Sequence, residues 1–508
     1  MRKSTLLITM LLTSACMTDS NAQSENTNTS VSTNTTASNP PNIILIVADD
    51  LGYGDIEPFG QKLIKTPNLN RLAEGGIKLT QHYAGSTVCG PSRASLLTGF
   101  HSGHGSVRGN PKWTNSGNPV DLSTNDTTLA HILKNNGYNT AIIGKWGMAE
   151  QVPTNINAMP NAQGFDYFFG YKTHVAAHHY YWPTLFENNN EYKLKDNDYL
   201  KNQGKYTHDL FTEKALNYIV KQGETTQANE AQKQPFFLYL AYTIPHLALT
   251  VPEDAKSQYK DLGWPKRMLN TEGHYRNDAE GNVTYAAMVS RMDRDIGKIM
   301  DSLKAQGIDD NTLVIFTSDN GHEYDKGFFN SNGPLRGKKR DLYEGGIRVP
   351  FIARWPNQIA ANTTSDHISA FWDYFATFCE LSAPGQSKSQ TKDLAKDIAT
   401  NCTQTDGISF VNTLTAEKPQ QQHEYMYWEF NEKHGPLQAI RKGDWKLVKK
   451  HPNKFELYNL DKDISEQSNI AKQNPEKLAQ LKSLLKNART PHPEFSLKKL
   501  PNPYLKGK

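Results

Sequence analysis

The chain has 508 residues, 37% of them hydrophobic and 21% charged, enough to bury one large core or a large and a small one. Its formal net charge of +4 comes without a basic stripe interleaved with aromatics, which speaks against nucleic acid as a partner. The lysines near the end (Lys498, Lys499, Lys506 and Lys508) read as a solvated tail.

Arg2 and Lys3 precede an apolar run too short to span a bilayer, so residues 1–22 are expected to form a secretory signal. Ser14-Ala15-Cys16 resembles the end of a lipobox, with Thr13 where leucine is usual, and would put a lipid anchor on Cys16. Cleavage after Ala22 would instead release a soluble periplasmic or secreted protein. Residues 23–39, rich in Ser, Thr and Asn, are expected to be a disordered linker. Both readings place the protein outside the cytoplasm, in a bacterial periplasm, anchored at an outer membrane or secreted, with no transmembrane segment.

Residues 40–409 read as a large α/β domain. The runs IILIVADD (43–50), NTAIIGKWG (139–147), FFLYLAYTIPH (236–246), TLVIFTSDNG (312–321) and VPFIARWP (349–356) are nearly continuous apolar stretches, the pattern of buried parallel strands. Helical patterns lie between them. TPNLNRLAEGG (66–76) has Thr66 as its N-cap and Pro67 at the first helical position. TTLAHILKNNG (127–137) is amphipathic, and 283–306 is a long helix stopped by Gly307. Alternating strands and helices predict a large, mostly parallel sheet sandwiched by helices. Ligands of such sheets bind beyond the carboxyl ends of the strands. Residues 410–508 change pattern: three segments (425–430, 437–450 and 455–460) read as antiparallel strands and 474–488 as a helix, giving a smaller α+β subdomain. GPLRGKK (333–339) is one residue short of a phosphate loop and lacks the following Ser or Thr, so that reading is rejected.

The chemistry collects at the strand ends. Asp49, Asp50, Asp319 and the amide oxygen of Asn320 are hard oxygen ligands, with no thiolate pair or histidine cluster beside them. They favour Ca²⁺, with Mg²⁺ second, over zinc. Arg93, Lys145, His246 and Lys339 fall at the same edge. A cation beside several fixed positive groups suits a doubly charged oxyanion, so sulfate and phosphate esters are the natural substrates. Of the four cysteines, Cys16 belongs to the leader and Cys89 stands alone. Cys379 and Cys402 are either a disulfide of an oxidising compartment or two thiols, with Cys379 buried on a helix.

Cys89-Gly90-Pro91-Ser92-Arg93, followed by Thr98-Gly99, resembles the C-x-P-S-R-x-x-x-x-T-G signature of the type I sulfatases of the alkaline-phosphatase superfamily. VADDLGYGD (47–55), GKWG (144–147), PH (245–246), SDNG (318–321), GKKRDLYEGGIRVP (337–350) and RKGDWKLV (441–448) follow the family's order, so the resemblance spans roughly 41–460. It implies that a maturation enzyme oxidises Cys89 to formylglycine (3-oxoalanine), whose hydrate is a better nucleophile than a thiol. A helix expected to start at Ser92 would point N–H groups at the incoming anion. The resemblance also implies that Asp49, Asp50, Asp319, Asn320 and the modified Cys89 hold Ca²⁺, and that Arg93 supports the nucleophile. Lys145, His246 and Lys339 bind the sulfate oxygens, and His246 or Lys339 protonates the leaving alcohol.

One departure stands out. The family commonly has Lys-Trp-His where this chain has Lys145-Trp146-Gly147. That histidine is the natural base for sulfate release. His178 is the favoured substitute and His104 the second; water or Lys145 serving instead is the alternative. THVAAHHYYWP (173–183), GHGSVRGN (103–110) and His322-Glu323 are expected to line a sugar pocket, with His104, Arg108, His178 and His322 as substrate contacts; an ordinary packed loop is the alternative. The implied activity is hydrolysis of sulfate esters on a sulfated glycan, with a galactose-type 4-O-sulfate as the guess at subfamily level. A phosphonate or phosphate ester hydrolase of the same superfamily and a catalytically inactive glycan-binding protein are the alternatives.

Overall fold

The computed structural model describes residues 40–228, 234–268, 278–382, 402–432, 435–450 and 452–503. The signal and linker expected at 1–39, with Cys16, lie outside them. The main sheet has ten strands: β1 (Asn42–Ala48), β2 (Ile77–Tyr83), β3 (Asn139–Lys145), β4 (Tyr167–Tyr171), β5 (Thr184–Glu187), β6 (Asn190–Lys193), β7 (Phe236–Ala241), β8 (Thr312–Ser318), β9 (Phe351–Arg354) and β10 (Thr363–Ala370). Their order is β10-β2-β9-β8-β1-β7-β3-β4-β5-β6. The central strands β8, β1, β7, β3 and β4 are all parallel. β9 corrects the sequence reading: this fifth apolar run pairs antiparallel with both β8 and β2. A continuous apolar run reports burial on both faces, not strand direction.

Every residue of β1 from Ile43 to Ala48 is buried, and its two faces meet different layers. Ile44 and Ile46 pack with Met288, Met292 and Ile296 of the helix Gly281–Ala305 and with Phe211 and Ile219 of the helix Thr207–Ala228. Ile43, Leu45 and Val47 pack with Leu96 and Leu97 of the helix Cys89–Thr98 and with Ile132 and Phe378 of two further helices. Each such side chain contributes about 1.5–3 kcal/mol by leaving water.

Two helix starts differ from the sequence reading. The signature helix begins at Cys89, with Val88 as its N-cap, three residues before Ser92. Pro91 sits at its third position, where no intrahelical N–H partner is lost. The helix Pro67–Glu74 has the expected bounds, but Thr66 does not cap it. The Thr66 hydroxyl accepts Glu57 N–H (2.9 Å), and Asp293 takes the N–H groups of Asn68 (3.1 Å) and Leu69 (2.7 Å). A carboxylate from a neighbouring helix thus satisfies the donors a local cap would have taken.

The second sheet is antiparallel, in the order β11 (Met426–Glu432), β12 (Gly435–Lys442), β13 (Trp445–Lys450) and β14 (Lys454–Asn459). One face packs Met426, Trp428 and Phe430 against Tyr83, Val88 and Ile347, beside the start of the signature helix. The Trp428 indole donates to the Ala84 carbonyl at 2.9 Å. The other face takes Leu481 and Leu485 of the helix Pro475–Asn487. Cys379 and Cys402 form a disulfide, with Cα atoms 6.0 Å apart. No helix among the described residues is long and apolar enough to cross a membrane.

Candidate active site

Strand register assembles the site. Val47 lies beside Thr317 and Ala48 beside Ser318, so Asp49-Asp50 and Asp319-Asn320 leave the sheet side by side. Asp319 N–H donates to the Ala48 carbonyl (3.0 Å), and Asp50 N–H to Asp319 Oδ1 (3.2 Å). Asp50 adopts φ 65°, the left-handed region that Asp tolerates better than most residues. Asp49 N–H reaches the Ile244 carbonyl at 3.0 Å, which fixes the segment carrying His246.

Lys145 is the last residue of β3. Gly144 before it must be glycine, since a Cβ there would lie 2.0 Å from the Ala241 carbonyl oxygen of β7. Lys145 Nζ then reaches Asp49 Oδ2 at 2.6 Å. The signature helix contributes its first residue, with Cys89 Sγ 3.0 Å from Asp49 Oδ1 and 3.9 Å from Asp50 Oδ1. One turn on, Arg93 Nε donates to Asp319 Oδ2 at 2.8 Å. Lys339 Nζ lies 2.7 Å from Asp50 Oδ2, 3.6 Å from Cys89 Sγ, 3.2 Å from His246 Nε2 and 3.4 Å from Glu323 Oε2. His246 Nε2 is 3.4 Å from Asp50, and its Nδ1 meets the Leu247 carbonyl. All of these groups except Glu323 are almost completely buried.

Burial would raise the Asp49 carboxyl, but Lys145, His246, Arg93 and Lys339 together hold it well below the usual range. Burial wins at Asp50, pushed up to about 6 against Lys339, and at Asp319, pushed up to about 7 with Asp49 adding to the effect. The Cys89 thiol is driven well above its ordinary value by burial, then by Asp319 and Asp49. An unmodified neutral thiol in this setting is a weak nucleophile. Burial works most strongly against the Lys339 ammonium, yet Asp50, Cys89 and Glu323 together more than offset it.

The residues fit a hard divalent cation. Asn320 Nδ2 donates to Asp50 Oδ1 (2.7 Å), while Asn320 Oδ1 is buried with no hydrogen-bond partner, an acceptor waiting for a positive charge. Asp49, Asp50, Cys89 and His246 offer ligand atoms within 4.8 Å of one another.

Residues 41–383 match the sulfatase family profile. This chain belongs to the sulfatase family. The sulfatase is therefore a sulfuric ester hydrolase, and its residues 337–490 also match the N-sulphoglucosamine sulphohydrolase C-terminal family. It is 29% identical to an N-acetylgalactosamine-6-O-sulfatase of Bacteroides thetaiotaomicron, over 89% of this chain and 94% of that one. It is 30% identical to human steryl-sulfatase, over 68% and 67% of the two chains. Among solved structures it resembles Ps i-CgsB in complex with k-i-k-neocarrahexaose, with a TM-score of 0.70 and 28% identity over 88% and 93% of the chains.

The candidate substrate contacts of the sulfatase are spread out. His322 is buried beside Lys339, whose N–H donates to the His322 carbonyl at 3.0 Å. His178 is expected to turn a ring nitrogen toward Cys89; the structure stacks its ring on His246, centroids 4.2 Å apart and 8° from parallel. His104 and Arg108 make their contacts elsewhere. His104 Nδ1 bonds Asp406 at 2.9 Å with its ring stacked on His101. Arg108 donates to the carbonyls of Gly105 (2.8 Å) and Thr490 (2.9 Å) and pairs with Glu429 at 3.5 Å, tying its loop to the second sheet. His101, His104 and Asp406 also have metal-ligand spacing. Gly103 N–H donates to His101 Nδ1 at 3.1 Å, so this group reads as a hydrogen-bonded anchor.

The sequence does not single out His174 within the loop 173–183 expected to line the pocket. Only the structure supplies the signal: β4 pairs as the parallel neighbour of β3, so the segment after β4 emerges beside Lys145-Trp146-Gly147.

Proposed function

We propose that this sulfatase removes sulfate from a sulfated carbohydrate outside the cytoplasm, with Cys89 converted to formylglycine and Ca²⁺ as the metal. The observation that carries the reading is the burial of Cys89 between two carboxylates, Asp49 and Asp50, and the Lys339 ammonium, within the C-x-P-S-R signature. Formylglycine would supply a hydrated aldehyde as nucleophile and calcium the Lewis acid beside it. Asp49, Asp50, Asp319 and Asn320 would hold the ion. The Lys145 and Lys339 ammonium groups and His246 bind the sulfate oxygens, and Arg93 fixes Asp319 and faces Asp49. Lys339 and His246, 3.2 Å apart, share a proton path to the departing alcohol oxygen.

The carbohydrate class is supported by the B. thetaiotaomicron relative, named for a sulfated amino sugar, and by the k-i-k-neocarrahexaose complex of the structural neighbour. Export, whether as a lipoprotein anchored through Cys16 or as a soluble protein, is supported by the positively charged, apolar first residues and by the Cys379–Cys402 disulfide. A formylglycine-generating maturation enzyme is the implied partner.

Two measurements test the reading. Mass spectrometry of the Cys89 peptide should show formylglycine in active preparations. Purified enzyme, assayed on paired aryl sulfate and aryl phosphate or phosphonate esters and then on defined sulfated saccharides, should prefer sulfate and release it from at least one saccharide. Preference for phosphate or phosphonate would make it an ester hydrolase of the neighbouring class. No turnover of any ester by formylglycine-bearing protein would make it a binding protein.

A further inference from the structure

Hydrolysis of a sulfate monoester consumes water and yields an alcohol, sulfate dianion and one proton. The site therefore needs an acceptor for a proton as well as a donor to the alcohol. Most of its groups are poor acceptors. Arg93 stays protonated. Lys145 and Lys339 are ammonium ions held on Asp49 and Asp50. His246 meets Lys339 at one ring nitrogen and the Leu247 carbonyl at the other.

His174 is different. Trp146 N–H donates to the Tyr171 carbonyl (3.0 Å) and Gly147 N–H to the Lys172 carbonyl (3.1 Å), so the chain leading to His174 runs alongside 145–147. His174 N–H is anchored on the Glu150 carboxylate. A Cβ at Gly147 would lie 3.8 Å from His174 Cα and 3.7 Å from Lys145 Cε. The space a side chain at 147 would fill is thus bounded by His174 on one side and by the Lys145 stem on the other. The His174 ring meets the edge of His178 (centroids 4.7 Å apart), which is stacked on His246. The ring is buried, and its Nδ1 has no hydrogen-bond partner among the described residues. A buried unpartnered imidazole nitrogen costs about 1–3 kcal/mol, which argues that something else engages it during function.

We infer that His174, carried by the loop after β4 that runs beside Gly147, is the proton-accepting imidazole of this site. The inference rests on the proposed sulfate-ester hydrolysis at Cys89. Burial, and next the Lys145 charge, keep the ring neutral, the form that accepts a proton.

His174→Ala should lower kcat on an aryl sulfate by about 10²–10³-fold with KM within about threefold, and added imidazole should recover at least about tenfold. His131→Ala, on the helix Leu129–Asn135 and outside the cluster, should leave both constants unchanged. A second readout does not need turnover. In histidine-labelled Cys89→Ala protein, inorganic sulfate should move the His174 ring resonances in NMR spectra and leave those of His131 in place. If His174→Ala does not fold, His174→Gln and the NMR arm carry the test. A wild-type kcat in the variant, or a loss that imidazole does not rescue together with His174 signals indifferent to sulfate, overturns the inference. Failure of the wild-type enzyme on every sulfate ester would overturn the functional reading instead, and that is seen before any variant is made.

Discussion

Two clusters bury lysine among carboxylates, one at the ends of β1 and β8 and one where the second sheet meets the first. In the latter, Lys446 Nζ lies 2.8 Å from Glu344 and 3.1 Å from Glu466, all three fully buried. Arg348 reaches Glu344 at 3.3 Å, the Tyr83 hydroxyl donates to Glu344 at 2.5 Å, and Arg441 donates to Tyr83. Glu466 accepts Glu344 N–H at 2.7 Å. Burial pushes Glu466 up to about 7, much as it does Asp319. A raised carboxyl alone therefore does not mark a functional site. The difference lies in what is left over. In the inter-sheet cluster Glu466 Oε1 lacks a hydrogen bond but lies 3.1 Å from the Lys446 ammonium, whereas in the strand-end cluster Asn320 Oδ1 has no hydrogen-bond partner among the described residues and a cysteine sits in the midst. One arrangement fastens elements; the other awaits ligands.

The comparison can be broken in order of expected effect. Cys89→Ala should cost about 10⁴-fold or more in turnover while the melting temperature stays within a few degrees; full activity would remove the nucleophile from the account. Asp319→Ala, or chelation, should abolish measurable turnover and, for an ion present at about 100 times its Kd, lower stability by about 3 kcal/mol. Stoichiometric zinc with no response to chelator would contradict the hard-cation assignment. Lys446→Met should destabilise by about 3–5 kcal/mol, because it leaves buried carboxylates uncompensated, yet leave kcat per folded molecule unchanged. A changed kcat would mean the two clusters are coupled. Cys402→Ser, opening a bridge between residues 23 apart, should cost about 3 kcal/mol in a denaturant titration. Arg71→Ala, at a half-exposed pair with Asp301, should move stability by about 0.5 kcal/mol or less and sets the floor of the series.

The central strands were legible because burial on both faces writes continuous apolar runs. β2 (IKLTQHY) and β10 (TTSDHISA) were not, because their polar positions resemble loops and only pairing makes them strands. Asp49-Asp50 and Asp319-Asn320 stood out because each pair follows a strand, Cys89 because it opens a helix and Lys145 because it ends a strand; Arg93, inside a helix, and Lys339, in a loop, carry no such local mark. The environment of His178 and the position of His174 were not legible, since both depend on how one long loop folds back over β3 and β7. Asp293 as the cap of a distant helix was hidden for the same reason: the partner lies more than 200 residues away in the chain.

Gly147 sits at φ +71°, with room around it for a Cβ. Any other residue there would meet a left-handed backbone, at about 1–2 kcal/mol, before its side chain contributed anything. In sequence space the position behaves as a one-way gate. A chain that has settled into this backbone gains little from a single change that returns a side chain to 147. Variation that retunes turnover is more productive in the loop after β4, where new residues carry no such entry cost. With His174 as the inferred proton acceptor, the place where selection would adjust the reaction is the loop after β4, beside the end of a rigid strand, and if that loop also lines the sugar pocket, rate and specificity would change together.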